Sequence, residues 1–385
     1  MTTQPSASSF SLASPEEVLA YIPHALGFYP RNAVVLLIMQ GTGLAATLRV
    51  DLPPAGCGEE RCLHWAKQLV RLVHRVPKAT SVFAAIYTGQ TPGEKHGTLP
   101  GQELVEQLAP ALVRSGIQVR DGWYVGAQRW HSYFCGNGNC CPSEGFELPD
   151  LALTETHLRM VVAGSAPEEH IWDGSGVADW NNKRTIREYV EILAREYVGT
   201  EKRESMIRDW ADLLDGDPVL AERRLRHDES FCASMLVSLK DRAVRDILPY
   251  LAGRGKARAL EAFTEVSREA EFGSASQDFS AFLLGTSSCI PDWDRIDRLW
   301  HFCRDLLGVA QGPEETALLC LLGWVNWAKG KGSSALGLFS TALEKDPDYR
   351  LAQLMGRLLE SGEMPSWVAD PQRAWRLRLG GRLSA

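Results

Sequence analysis

The sequence predicts two different folds in one chain, a mixed-sheet α/β domain followed by an all-α, helical-repeat-like domain. Up to residue 165, short apolar runs of strand length alternate with amphipathic helical segments, whereas after residue 185 every periodic segment has helical spacing. A chain of 385 residues is long enough for two domains with separate cores. We predict a flexible tail over 1–13, an α/β domain over 14–165, a linker over 166–184, an all-α domain over 185–362 and a C-terminal tail over 363–385.

The α/β domain is predicted to begin with a helix and a hairpin. Ser14-Pro15-Glu16-Glu17 predicts a helix start, because a serine hydroxyl caps a helix and proline fits its first position. Pro23 is expected to end this helix. Apolar segments over 33–39 and 44–52 then flank a glycine-rich turn, which predicts two paired strands.

Helices and strands alternate after the hairpin. Apolar spacing predicts helices over 61–76 and 102–114, and strands over 82–87, 117–125 and 127–134. Hairpins join antiparallel strands, whereas a strand, helix, strand unit joins parallel ones. The order of elements therefore predicts a layered domain whose sheet has mixed strand directions.

The C-terminal half is predicted to be helical throughout. Thr185-Ile186-Arg187-Glu188 has the spacing of a capping box, in which the first and fourth side chains bond to backbone N–H groups at a helix start. The helical spacing predicts segments over 186–197, 203–214, 218–226, 242–251, 256–268 and 293–307.

The segment 314–347 resembles a tetratricopeptide (TPR) hairpin. That repeat needs small and apolar residues at fixed positions, because its two antiparallel helices approach closely. One such hairpin is either a stacking unit of the helical domain, which we favour, or part of a peptide-binding concave surface. The matching positions are Leu322, Gly323, Gly330, Ala335, Phe339, Ala342 and Pro347.

The charge of the chain disfavours nucleic acid as a partner, and its hydropathy excludes a membrane span. The chain has 41 lysines and arginines against 48 acidic residues, a net charge of −7, without a dense basic run, which disfavours nucleic-acid binding. The longest apolar run, 33–39, is far too short to span a bilayer. The N-terminus lacks the features of a secretory signal, so we expect a cytoplasmic protein whose nine cysteines stay reduced.

Several segments resemble an actinobacterial family known as DUF4192, a domain of unknown function. They are 23–30 (PHALGFYP), 34–35, 49–53 (RVDLP), 129–133 (RWHSY), the group Cys135, Cys140, Cys141 and Pro142, and a tryptophan-containing region over 324–351. The resemblance implies the division into two domains and a cytoplasmic, actinobacterial setting. It implies no activity.

The strongest candidate for a metal site is a cysteine-rich turn. Cys135, Cys140 and Cys141 lie on a glycine-rich segment with His131 four residues upstream, and three thiols with an imidazole can surround a zinc ion. Cys57, Cys62 and His64 form a second group with the same cysteine gap. Neither group has the two-residue cysteine spacing of a zinc knuckle. We therefore expect no cofactor and favour structural thiols, with zinc and a redox or disulfide pair as the alternatives.

A polar set near the hairpin is the second candidate. Arg49 and Asp51 alternate with Val50, so both side chains lie on one face of their strand. With His24 and Arg31 they are candidates for binding a small anionic ligand. The alternative, which we favour, is a structural ion pair at the strand end and a histidine that caps carbonyl groups.

No catalytic motif assigns a reaction to the chain. A Walker phosphate loop, a Rossmann glycine pattern, HExxH and GxSxG are all missing. We therefore predict a binding or scaffolding module whose helical domain contacts a protein partner, with no nucleic acid or membrane partner. The alternative is an enzyme or small-ligand sensor that uses the α/β domain.

Overall fold

The computed structural model describes residues 10–11, 14–54, 56–92, 99–137, 140–142, 144–177, 179–195, 200–267, 273–370, 372–375 and 383–384. The chain forms two compact units. The sheet domain comprises Met1–Ile171 and Ala369–Ala385, and the helical domain comprises Trp172–Val368. The helical domain is therefore an insertion between two segments of the sheet domain.

The sheet domain contains one mixed sheet, as the sequence predicts. The strands are β1 (Phe10–Ser11), β2 (Ala33–Gln40), β3 (Gly43–Asp51), β4 (Ser81–Tyr87), β5 (Gln118–Val125), β6 (Arg129–Ser132), β7 (Phe146–Glu147) and β8 (Leu383–Ser384). The six strands β2 to β7 form the body of the sheet, and β1 and β8 extend one edge, in the order β1-β8-β3-β2-β4-β5-β6-β7. Neighbours are antiparallel except β1 with β8 and β4 with β5, which run parallel.

Helices cover both faces of this sheet. On one face, alternate side chains of β2, including Val35 and Leu37, share a core with the first helix. On the opposite face, Gly101 lies beside the third helix, and a Cβ atom at Gly101 would lie 3.1 Å from Ile86. The third helix has the predicted bounds. The helices are α1 (Pro15–Leu26), α2 (Glu59–His74), α3 (Gln102–Arg114), a 3₁₀ helix (Pro149–Leu153) and α4 (Glu155–Val162).

The predicted end of α1 at Pro23 is wrong. The helix continues through Pro23 to Leu26 and ends at Gly27, whose φ of 85° suits the left-handed cap. Pro23 lacks an N–H group, but its carbonyl accepts the Gly27 N–H at 2.7 Å and closes the last turn. This extra turn places His24 inside the helix, with its side chain buried.

The helical domain contains only helices among its described residues. The sequence pattern does not predict α8 (Glu229–Ser238) or α11 (Ser274–Leu283). Because α8 is buried on several sides, its apolar residues do not follow the helical repeat that marks a helix with one buried face. The helices are α5 (Lys183–Arg195), α6 (Thr200–Asp215), α7 (Pro218–His227), α8 (Glu229–Ser238), α9 (Arg242–Arg254), α10 (Lys256–Ser267), α11 (Ser274–Leu283), α12 (Trp293–Leu307), α13 (Pro313–Ala328), α14 (Gly332–Lys345) and α15 (Arg350–Glu360).

The centre of the helical domain is α13, which is buried along nearly its whole length. It packs against α14 at Gly323, where a Cβ atom would lie 2.8 Å from the ring of Phe339. Glycine is needed there because the two helices approach so closely. No helix in the described part of either domain has both the length and the apolar content to cross a membrane.

Candidate functional site

The loop after β6 is shaped by hydrogen bonds from its own backbone. The Ser132 hydroxyl accepts the N–H groups of Phe134 and Cys135, both at 3.1 Å. The Asn137 carbonyl then accepts the N–H groups of Cys140 and Cys141 at 2.9 and 2.8 Å. These two turns fold the segment back on itself and bring its cysteines together.

The three cysteines of this loop form a compact thiol cluster, Cys135, Cys140 and Cys141. Their sulfur atoms all lie within 4.8 Å of one another. Cys140 is exposed, whereas the other two are half-buried. A tetrahedral zinc ion with Zn–S bonds of about 2.3 Å holds its sulfur ligands about 3.8 Å apart, so the cluster has the spacing for such an ion. Among the described residues, no fourth histidine, cysteine or carboxylate joins them.

The thiols of the cluster differ in acidity. A hydrogen bond from the Asn137 backbone N–H and another from Cys141 lower the pKa of Cys135. Burial, together with the neighbouring thiols, raises the pKa of Cys141 to about 12. Cys135 therefore ionises before Cys141, and a thiolate is the form that binds a metal.

His131 lies outside the cluster, although the sequence groups it with these cysteines. The His131 ring lies against the backbone at Gly145, where a Cβ atom would be 2.3 Å from the His131 Nε2 atom. The ring centroids of His131 and Tyr124 are 5.9 Å apart. Burial, and then the charge of Arg129, lower the pKa of His131. The structure therefore leaves three of the four predicted metal ligands together.

The second cysteine group also divides. Cys57 and Cys62 lie at the start of α2 with their sulfur atoms 2.9 Å apart. His64 instead contacts the Gln68 amide at 3.0 Å on the exposed side of the helix. Neither Cys57 nor Cys62 belongs to the thiol cluster.

A buried histidine chain lies between α1 and α4. His24 Nδ1 is 2.9 Å from the Ser165 hydroxyl, and His24 Nε2 is 3.0 Å from Nδ1 of His157. His24 is only 1% exposed, while the other two are half-buried. Burial, and then the charge of His157, lower the pKa of His24 to about 4, so its ring is neutral at pH 7.

The remaining predicted ligand residues form a separate surface group. Arg49 pairs with Asp51 at 2.6 Å and also donates to the Arg31 carbonyl at 3.3 Å. Arg31 pairs with Glu169 at 2.5 Å, and both side chains are more than half exposed. Arg31, Arg49 and Asp51 are thus adjacent, whereas the hydrogen bonds of His24 go to Ser165 and His157.

A comparison with protein families assigns the chain. The model of DUF4192, a domain of unknown function, matches residues 15–366, nearly the whole length. The chain belongs to the DUF4192 family. The resemblance in the sequence is thereby confirmed. No curated protein and no solved structure matches the chain.

Sequence reasoning on this DUF4192 protein missed His157 and Ser165. They lie 133 and 141 residues from His24 along the chain, so no local spacing connects the three. One local signal existed for Ser165, because Gly164 before it, with φ of 87°, ends α4 in a left-handed cap. That signal predicts the turn but not its contact with α1.

Three tryptophans near the C-terminus of the DUF4192 chain are core residues, whereas Trp375 is half-buried. Trp324, Trp327 and Trp367 are at most 3% exposed. Their indole N–H groups donate to backbone carbonyls at 3.0, 3.1 and 2.9 Å. Large buried rings with bonded N–H groups stabilise packing and leave nothing exposed to bind a partner.

Proposed function

We propose that this protein is a zinc-dependent binding module. Its sheet domain holds one zinc ion on the thiolates of Cys135, Cys140 and Cys141, and the metal fixes the loop after β6 for ligand contact. The single observation that carries the proposal is the spacing of the three sulfur atoms, all within 4.8 Å. Zinc prefers thiolate ligands at tetrahedral spacing.

The fourth position of this zinc site is open to a ligand in the proposal. Cys140 is exposed, so the ion sits near the surface, where water or an incoming thiolate, imidazole or carboxylate can reach it. The exposed ring of Phe134 precedes the first ligand, with 51% of its surface free, and offers an apolar contact beside the metal.

Metal analysis tests the proposal directly. Protein purified without chelator is measured by plasma mass spectrometry, and cobalt replaces zinc to give sulfur-to-metal absorption bands. We expect about one zinc per chain, lost in Cys135→Ser, Cys140→Ser and Cys141→Ser, and kept in the matched control Cys57→Ser. Zinc that survives in a Cys135→Ser, Cys140→Ser double variant would overturn the assignment, as would a wild-type protein that binds neither metal.

We also propose that the helical domain contacts a protein partner. Support comes from the pattern that resembles a TPR hairpin and from Leu354 on α15, which is 51% exposed. A quantitative native pull-down tests this partner contact. We expect Leu354→Ser to lose a partner that the control Leu284→Ser keeps. Leu284 is a fair control because it is similarly exposed, at 56%, but lies at the end of α11. Equal capture by both variants would contradict it.

A second candidate function is acyl transfer at Ser165. The chain Ser165, His24 and His157 has the order of nucleophile, base and orienting group at 2.9 and 3.0 Å. In this reaction the Ser165 oxygen would attack an acyl carbon while His24 takes the hydroxyl proton. The bond between the acyl carbon and its leaving group would then break, and His24 would return the proton to that leaving group. A base with a pKa of about 4 takes protons poorly at pH 7, so zinc binding ranks first.

A fluorophosphonate probe distinguishes this second candidate. Labelling of the wild-type protein at Ser165, lost in Ser165→Ala and in His24→Gln, would support acyl transfer. Ser132→Ala is the control, because that hydroxyl accepts backbone N–H groups and lies away from His24. Absence of labelling at Ser165 in the folded protein would eliminate the candidate.

A further inference from the structure

Cys57 and Cys62 take no part in the proposed zinc site. They flank the start of α2, where the Gly58 carbonyl accepts the N–H groups of Arg61 and Cys62 at 2.9 and 3.2 Å. This first turn brings the two sulfur atoms to 2.9 Å. We infer that Cys57 and Cys62 form a reversible disulfide by exchange with a small-molecule disulfide.

The two thiols differ in access to solvent. Cys57 is half-buried, whereas Cys62 is only 3% exposed. A dissolved disulfide therefore reaches Cys57 first. Burial, and then the hydrogen bond with Cys57, raise the pKa of Cys62 to about 11, so Cys62 stays protonated. Its sulfur donates to the Cys57 carbonyl oxygen at 3.4 Å and lies 2.9 Å from the Cys57 sulfur. The geometry makes Cys57 the attacking thiol and Cys62 the resolving thiol.

The exchange proceeds in two displacements. The Cys57 thiolate attacks one sulfur of the small disulfide, forming a mixed disulfide and releasing one small thiolate. The Cys62 thiol gives its proton to that thiolate and attacks the Cys57 sulfur, which releases the second small thiolate. The protein loses two electrons and two protons, and the small disulfide becomes two thiols.

Closing the bond requires little movement. A disulfide bond is about 2.05 Å long, so the sulfur atoms must approach by less than about 1 Å. Glycines flank Cys57 on both sides, and a Cβ atom at Gly56 or Gly58 would meet nothing within 4 Å. The backbone on both sides of Cys57 therefore borders open space, which leaves room for the small shift that closes the bond.

Peptide mass mapping of the full-length protein tests the inference. The protein is first treated with a chelator, so that no metal covers Cys140. It is then incubated with glutathione disulfide, quenched in acid, alkylated and digested with trypsin. Cleavage after Arg49, Arg61 and Lys67 puts the two cysteines on separate peptides, 50–61 and 62–67. We expect both free peptides to be lost and one disulfide-linked pair to replace them. Treatment with a reducing thiol should restore the two free peptides.

The single variants report the order of attack. Cys62→Ser should accumulate glutathione on Cys57, whereas Cys57→Ser should leave Cys62 unmodified; Cys140→Ser should form the linked pair as the wild type does. The inference is overturned if peptides 50–61 and 62–67 stay free while Cys140 is modified in the same sample. It is also overturned if Cys62 reacts in Cys57→Ser, a substitution at a half-buried loop position that keeps α2 intact.

Discussion

The nine cysteines are arranged differently in the two domains. The five in the sheet domain lie in two groups, four of them on loops and Cys62 in the first turn of α2, and in both groups the sulfur atoms are close enough to interact. The helical domain holds four, of which Cys232, Cys303 and Cys320 are each at most 1% exposed and lie on different helices. Burial raises the pKa of each of these three thiols. The fourth, Cys289, is half-buried on the segment between α11 and α12.

This contrast indicates that the surroundings of a cysteine determine whether its thiol is reactive or packs in the core. A cysteine on a helix face packs as a small apolar side chain, and its burial suppresses the thiolate. A cysteine on a turn keeps contact with solvent and with its neighbours. The contrast between buried and exposed positions also applies to aromatic and charged residues. Four experiments therefore test it.

The largest effect is expected in thiol labelling of native, chelator-treated protein. Cys232, Cys303 and Cys320 react only when the helical core opens, which costs a large part of the roughly 5 kcal/mol or more that stabilises a domain. They should therefore label at least about a thousandfold more slowly than exposed Cys140. Time-resolved labelling with site assignment by mass spectrometry measures this, and a similar rate for any of the three would break the comparison.

Truncation of a buried ring should give the next largest effect. Phe339 is 0% exposed and fills the contact between α13 and α14. Phe339→Ala should lower the free energy of unfolding by about 4 kcal/mol, because it leaves a cavity in a packed core. Phe134→Ala on the exposed loop of the sheet domain is the matched control and should cost under about 1 kcal/mol. Urea unfolding followed by tryptophan fluorescence compares them.

His24 should make the sheet domain sensitive to acid. Its folded pKa of about 4 lies below the ordinary histidine pKa of 6.5, so the unfolded chain binds the proton first. The stability is full above pH 6.5 and falls by about 3 kcal/mol as the pH drops from 6.5 to 4. His24→Gln should remove this part of the pH dependence, and His64→Gln on the exposed side of α2 should retain it. Identical slopes in wild type and His24→Gln would contradict the assignment.

The smallest effect is expected for Arg31. Its ion pair with Glu169 is exposed, with 61% and 71% of the two side chains free, and such pairs contribute little. Arg31→Ala should change the free energy of unfolding by less than about 0.5 kcal/mol. Arg49→Ala, whose side chain is 13% exposed and bonds to the Arg31 carbonyl, should cost more. The reverse order would indicate a built anion site at Arg31.

Much of the fold follows from local patterns. The bounds of α3, the hairpin of β2 and β3, and the helical nature of the second domain all come from apolar spacing and turn residues. Pro23 misleads because proline rules describe average helices, whereas α1 is held by its buried face. The segment 363–385, predicted as a tail, contains β8, whose two residues are too few to give a strand period.

The candidate site is less predictable from sequence. Cys135, Cys140 and Cys141 are near one another along the chain, and the loop needs only local turns to join them. His131 is equally close in sequence, yet it lies on β6, where strand pairing sets the direction of its ring. His24, His157 and Ser165 meet only through packing of α1 on α4, which no local spacing encodes.

The parallel pair of β1 and β8 determines how the molecule would respond to stretching. Phe10 lies beside Leu383 and Ser11 beside Ser384. Tension applied before Phe10 and after Ser384 pulls two parallel neighbours in opposite directions, which loads their hydrogen bonds in shear. Because the helical domain is inserted between the strands along the chain, it carries no tension until β1 and β8 have slid apart.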